Sequence, residues 1–246
     1  GVEFGLGNYL EGSIDYYVKN TDDLIFDVRT APSTGIAIMT SNAGSLQNKG
    51  LEFDLTGHLV KTSDFRLDLS VNGEKFTNKI TEMPIDPSTG KPKAIDVQGI
   101  YGWSEGHSVF DYYLREFAGV DAANGTSTWT VHYIDANGNG SYDKGEGIGN
   151  LTDYLASNPD QAGSILQGTT DTYDDETLKY NGKSAIPDLR GAVNLDAGYK
   201  GFDLRVQMLY SFGGYAYDGA YASLMHSGLV GSNNWHVDIL NRWQNP

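Results

Sequence analysis

Three stretches of the chain alternate strictly between apolar and polar residues on both sides of a short turn. In the first, Val2, Phe4 and Leu6 precede Gly7-Asn8, and Leu10, Gly12, Ile14, Tyr16 and Val18 follow, interleaved with Glu11, Ser13, Asp15, Tyr17 and Lys19. In the second, Leu51, Phe53, Leu55, Gly57 and Leu59 alternate with Glu52, Asp54, Thr56 and His58; after Lys61 to Asp64 the pattern resumes with Phe65, Leu67, Leu69 and Val71. In the third, Gly191, Val193, Leu195, Ala197 and Tyr199 lead into Lys200-Gly201, and Phe202, Leu204, Val206, Met208 and Tyr210 lead out. A period of two puts one set of side chains on each face of a strand. The pattern therefore predicts six strands in three hairpins, over 1–20, 45–80 and 188–213.

Between and after the hairpins the connections are long, over 21–44, 81–187 and 214–246. Short and long connections thus alternate. That is the arrangement of an antiparallel transmembrane β-barrel, with tight turns at one end of the strands and long extracellular loops at the other. The polar face carries Asp54, Asp68, Asp196 and Arg205 at strand centres, which is costly in a dry core but ordinary on the wall of a wet lumen. A soluble antiparallel sheet with one solvated face accounts for each hairpin taken singly, so periodicity leaves barrel and sandwich both open.

Composition narrows the choice. Thirty-one Gly and sixteen Tyr among 246 residues describe a turn-rich β protein with little helix. No apolar run approaches the roughly 18 residues of a membrane-crossing helix, and a barrel needs none. The net charge of −15 repels a phosphate backbone, so nucleic acid is not an expected partner. Cysteine is absent, which removes disulfides, zinc-thiolate sites and thiol nucleophiles together. The chain begins at Gly1 without an initiator Met or an apolar leader, so a missing signal says nothing about compartment.

Several motifs then become specific. Asn42-Ala43-Gly44-Ser45-Leu46-Gln47-Asn48-Lys49-Gly50-Leu51-Glu52 resembles the strand entry of SusC/RagA-type TonB-dependent transporters, and Tyr113-Leu114-Arg115-Glu116-Phe117-Ala118-Gly119-Val120-Asp121 is similar to a second segment of that family. So are Gly182 to Asp188, Tyr199 to Leu204, Tyr210 to Gly214 and the helix-like Asn234 to Trp243. The resemblance implies an all-β chain holding about six strands of an antiparallel barrel of roughly 22 strands, from its C-terminal half. It implies outer-membrane location, surrounding lipid, a SusD-like surface lipoprotein as lid, energy from TonB, and import of an oligosaccharide or peptide without covalent chemistry. The plug, the TonB box and a last strand ending in an aromatic residue are not expected within these residues. Two alternatives share the pattern: a soluble all-β carbohydrate-binding or adhesion module stabilised by calcium, and an oligomeric surface-assembly protein.

Two sets of residues suggest binding. Asp135, Asn137, Asn139, Ser141, Asp143 and Glu146 stand at the ligand positions of a twelve-residue calcium loop, with Gly140 at its sharp turn. Flanking helices are not expected, because a strand precedes it and Gly145, Gly147 and Gly149 follow. The alternative is an Asn/Gly-rich turn that holds no metal. Tyr101, Trp103, Tyr112, Tyr113 and Trp129 lie on long connections where a sugar face could stack, although most such aromatics are expected to be packing residues of ordered loops. Trp235, Ile239 and Trp243 recur at helical spacing and are expected to dock a loop helix. The histidines, His58, His107, His132, His226 and His236, lack metal spacing. Asp174-Asp175 reads as solvated charge rather than a glycosidase pair. No catalytic role is assigned.

Overall fold

The structure is a computed structural model that describes residues 1–30, 35, 38–87, 89–225 and 234–244. The chain divides into two units, one of residues 1–112 with 182–215 and one of residues 113–181 with 216–246.

The first unit is built on a six-stranded antiparallel sheet. Its strands are β1 (Val2–Leu6), β2 (Leu10–Thr21), β3 (Ser45–Lys61), β4 (Phe65–Glu82), β5 (Leu189–Tyr199) and β6 (Phe202–Phe212), each paired with the next in that order. The register carries the sequence alternation across the whole sheet. One row runs Phe4, Gly12, Leu55, Val71, Val193, Met208; the next on the same face runs Leu6, Leu10, Gly57, Leu69, Leu195, Val206. Between them on the other face lies Gly5, Glu11, Thr56, Ser70, Asn194, Gln207.

The three short turns share one end of the sheet. Tyr9 O accepts from His58 N at 2.8 Å, and Asp64 O from Lys200 N at 3.1 Å, which ties neighbouring turns together. Lys200 at φ 43° and Gly201 at φ 87° give the two left-handed residues that a two-residue hairpin turn requires. Strand β3 departs from the simple alternation at one place. The register shifts between His58 and Val60, so Leu59 sits in a bulge and Val60, not Leu59, faces Leu67.

At the opposite end the chain leaves the sheet in longer excursions that have structure of their own. Ile25–Arg29 pairs with Ile38–Asn42, and Asp96–Gln98 pairs with Tyr101–Trp103. The packed core of this unit is here: Phe26, Ile80 and Met83 are buried, with Leu24, Leu46, Trp103 and Val109 against them.

The second unit is a three-stranded antiparallel sheet of Phe117–Val120, Ser127–Ile134 and Ile165–Thr170, with two short helices, α1 (Leu151–Ser157) and α2 (Gly219–Leu224). Asn150 caps α1 by accepting from Asp153 N at 3.1 Å, and Asp218 caps α2 by accepting from Tyr221 N at 2.8 Å. Its interior holds Tyr113, Val131, Tyr133, Ile148 and Ile239. The helix expected through Trp235, Ile239 and Trp243 is only a 3-10 turn, Val237–Asn241. Ile239 is buried and Trp243 donates from Nε1 to Ala122 O at 3.0 Å, but Trp235 remains 44% exposed. Helical spacing selected two docking residues of three; the short turn cannot bring the third to the same face.

Candidate functional site

The six-stranded sheet has two faces of opposite character, and neither is a dry core. On the apolar face large side chains stand open: Val2 is 65% exposed, Met208 60% and Phe202 80%. Exposed apolar surface of this extent on one face of a sheet marks contact with lipid or another protein surface. Aromatic residues collect near the ends of the strands, with Tyr9, Tyr199 and Phe202 by the short turns and Tyr16, Tyr210 and Phe212 toward the other end.

The polar face satisfies its charges across strands. Arg190 donates from Nε at 2.9 Å and from Nη2 at 2.7 Å to Glu74 Oε2, while Tyr17 OH donates to Glu74 Oε1 at 3.0 Å. Arg205 pairs with Asp196 at 2.8 Å, His58 with Asp68 at 2.8 Å, and Arg66 reaches both Asp68 and Asp203 at 3.4 Å. A recess of about 840 Å³ over this region is lined by Asp15, Glu52, Asp54, Glu74 and Arg190, among others. Its acidic lining favours water and cations over anions.

The aromatic set separates into two environments. Tyr101 stacks on Tyr112 with ring centroids 5.2 Å apart, and Tyr112 OH donates to Tyr215 O at 2.8 Å. Trp103 meets Phe26 edge-on at 5.5 Å and donates from Nε1 to Val109 O at 3.0 Å. Tyr113 is 0% exposed, with its hydroxyl donating to Asn150 Oδ1 at 2.6 Å; burial raises that hydroxyl's pKa. These four hold loops together, as the packing alternative has it. Trp129 differs. It lies edge-on between Phe117 at 5.6 Å and Tyr173 at 5.5 Å, and both of those neighbours are 55% exposed. Nothing in the sequence marks Phe117 and Tyr173 as partners of Trp129, because Phe117 reaches it by strand pairing and Tyr173 by the turn that follows Ile165–Thr170.

The calcium-type loop closes on itself. Asp135 Oδ1 accepts from Gly138 N at 2.7 Å and Asn139 N at 3.1 Å, and Oδ2 accepts from Gly140 N at 2.7 Å. These bonds, led by that from Gly140, hold the Asp135 carboxyl below its ordinary pKa. Asn137 and Asn139 each donate a side-chain N–H to Asp143 Oδ2, at 2.6 and 2.7 Å, and Glu146 accepts from Ala136 N and Asp143 N. Ser141 N donates to Asn139 Oδ1 at 2.7 Å. Among the described residues no three His, Asp or Glu side chains converge closely enough to hold a metal ion. Helix α1 starts only at Leu151, so the loop lacks a helix on its exit.

Other titratable groups are structural. Glu176 is 0% exposed beside Arg115, whose Nε is 2.7 Å from Oε1 and whose guanidinium lies over Tyr173. Burial raises the Glu176 carboxyl although Arg115 opposes it. Asp174 is exposed, as a solvated charge should be, but Asp175 is half-buried. Burial, and then the Asp175 carboxylate, raises the Tyr142 hydroxyl. His107 pairs with Asp111 at 3.3 Å, and His236 Nδ1 accepts from Asp238 N at 3.2 Å. Burial lowers the pKa of His132. His226 lies outside the described residues.

An antiparallel sheet with an open apolar face, a charged and internally paired opposite face, and tight turns gathered at one end defines the class: a segment of transmembrane β-barrel wall. Comparison with known proteins agrees. The chain is 29% identical over 249 aligned residues to the TonB-dependent receptor SusC of Bacteroides thetaiotaomicron, covering 97% of this chain and 23% of that protein. It is 28% identical to the TonB-dependent receptor P3 of Formosa agariphila, covering 96% of this chain and 21% of that protein. The fold matches the solved structure of the RagAB peptide transporter with a TM-score of 0.67 and 23% identity, over 96% of this chain and 23% of that chain. No family model matches. Over nearly its whole length the chain is thus similar to SusC/RagA-type TonB-dependent receptors, and it spans less than a quarter of the length of these curated relatives.

Proposed function

We propose that the chain is part of the wall and outer loops of an outer-membrane importer that uses TonB energy and works beneath a SusD-like lipoprotein lid. Its cargo is an oligosaccharide or a peptide. The observation that carries this reading is the two-faced sheet, whose apolar rows stay open while its charges pair across strands on the other face. In a soluble binding module those rows would pack against a second sheet. The relatives are named as receptors and transporters rather than enzymes, which supports import without covalent chemistry. The long connections, including the second unit, then face the cell exterior, where lid and cargo meet them.

Site-directed spin labelling tests this directly, with any cysteine outside these residues first replaced. Single cysteines at Val193, Asn194, Val206 and Gln207 of the full-length receptor are spin-labelled in lipid bilayers, and collisions with oxygen and with a water-soluble relaxer are measured. Labels at Val193 and Val206 are expected to meet oxygen preferentially, and those at Asn194 and Gln207 the aqueous relaxer. Equal aqueous exposure at all four sites would reject the barrel wall and leave the soluble module.

We further propose a structural calcium ion in the Asp135–Glu146 loop, held by Asp135, Asn137, Asn139, Ser141, Asp143 and Glu146. Supporting it are the turn from Asp135 to Gly140 and the ligand spacing. Binding requires Asp143 to give up its two amide donors, so affinity should be modest. Calorimetric titration of calcium into the chelator-treated receptor tests it. Heat lost on Glu146→Gln would support the site, and no heat in the parent protein would leave the loop to its own hydrogen bonds. At the second unit's surface, Trp129 with Phe117 and Tyr173 is the aromatic group best placed to meet cargo.

A further inference from the structure

The chain contains five Asn-Gly pairs, at Asn72, Asn124, Asn137, Asn139 and Asn181. Two of them stand in tandem in the exposed turn at 137–140. An Asn-Gly pair carries an intrinsic covalent weakness, because no Cβ shields the glycine nitrogen. That nitrogen gives up its proton to hydroxide and attacks the Asn Cγ. The new N–C bond forms as the Cγ–Nδ2 bond breaks, and ammonia leaves with a proton from solvent. Water then opens the resulting succinimide to aspartate or isoaspartate.

In this turn the attacking and the leaving nitrogens of that reaction are restrained. Both attacking nitrogens donate to one carboxylate, Gly138 N to Asp135 Oδ1 and Gly140 N to Asp135 Oδ2, each at 2.7 Å. Deprotonating an amide in contact with a carboxylate would set two negative charges side by side. The side-chain carbonyls supply no such protection, since Asn137 Oδ1 accepts from Asn139 N at 3.0 Å and Asn139 Oδ1 from Ser141 N at 2.7 Å, bonds that polarise Cγ. Both leaving nitrogens donate to Asp143 Oδ2, at 2.6 and 2.7 Å.

We propose that Asn137 and Asn139 form a paired deamidation site, held silent by Asp135 and Asp143 and released when the turn opens. The two positions are coupled. Conversion of one replaces an N–H donor to Asp143 with a carboxylate, which repels Asp143 and loosens the turn around the other. Full conversion adds two negative charges where Asp135, Asp143 and Glu146 already stand.

The full-length receptor in detergent and calcium-free buffer is incubated at mildly alkaline pH, and acid formation at each asparagine is followed by peptide mapping. Asn124 serves as internal reference, since Gly125 N donates to Asp121 O at 2.8 Å and owes nothing to Asp135. Asn137 and Asn139 are expected to convert several-fold more slowly in the native receptor than in the denatured chain. Asp135→Ala should remove that protection at both while Asn124 stays slow. Native conversion as fast as in the denatured chain, or Asp135→Ala without acceleration, would overturn the proposal. Should Asn124 accelerate as well, the variant has opened the unit at large. Asp135→Asn, which keeps one acceptor oxygen, then decides: faster conversion at either site with Asn124 slow supports the proposal, and none rejects it.

Discussion

Glu176 shows how single groups set the stability of the loop unit. It is fully covered, and burial raises its carboxyl above the ordinary value of 4.5 against the pull of Arg115. A raised acid pKa means that the folded state keeps a proton the unfolded chain has released. Stability contributed by this group is therefore present below pH 4.5 and lost as pH rises through the raised value. Glu176→Gln should flatten that decline. Amide exchange at Thr177, whose N–H donates to Thr130 O, measures it, and an unchanged slope would assign the pH dependence elsewhere. Asp111 has the opposite sign. Burial works to raise it, but hydrogen bonds from His107 and from Ser108 N hold it below 3.8, so its contribution is present above that value and lost as pH falls further. His107→Ala should move that acid limb upward, read from the same kind of exchange at amides beside Asp111.

Among the elements, the strands gain lateral order from aromatic rings laid across glycines. A Cβ on Gly50 would come 2.4 Å from the Tyr17 ring, and one on Gly191 would come 2.0 Å from Asn72 O and 2.6 Å from Tyr210 OH. Tyr17 crosses Gly50 to reach Glu74, and Tyr210 reaches Asn72 O at 2.7 Å. This is the pairing that keeps glycine-containing strands flat against their neighbours. Gly50→Val should expel Tyr17 and its bond to Glu74, at a cost of about 1–3 kcal/mol. A lower urea midpoint on refolding into detergent would show it. Tyr17→Phe should cost less, since it removes only the hydrogen bond. Leu59 is the counterpart at a bulge: a strand of unbroken alternation in sequence slips by one residue where it nears the short turn.

For the assembled sheet, the two faces make a depth-dependent forecast. Leu55 sits at the middle of an apolar row and Thr56, its neighbour, in a polar one. Leu55→Arg should destabilise membrane-inserted receptor by about 2–4 kcal/mol, whereas Thr56→Arg on the lumen face should be nearly neutral. Refolding midpoints in liposomes compare them, and equal effects would contradict a lipid-facing row. The same arrangement explains why the packed core is small and lies at the end of the sheet away from the short turns, around Phe26, Ile80 and Met83. Between lipid and a wet lumen the wall has no interior to fill.

Alternation at Val2 to Val18, Leu51 to Val71 and Gly191 to Tyr210 was sufficient to reveal strands, hairpins and two-faced character, because period-two geometry acts residue by residue along the backbone. The Lys200-Gly201 turn was legible for the same local reason. Other features depend on which distant residues meet. Only tertiary packing brings Phe117 and Tyr173 to Trp129, buries Tyr112 and Tyr113 that composition alone would leave available to cargo, and places Glu176 beside Arg115. The spacing from Asp135 to Glu146 identified the oxygen-rich turn, but only its folded hydrogen bonds show Asp143 engaged by two amides rather than free for an ion. Short-range periodicity is written in the order of residues, whereas burial and partner choice follow from packing between segments far apart in the chain.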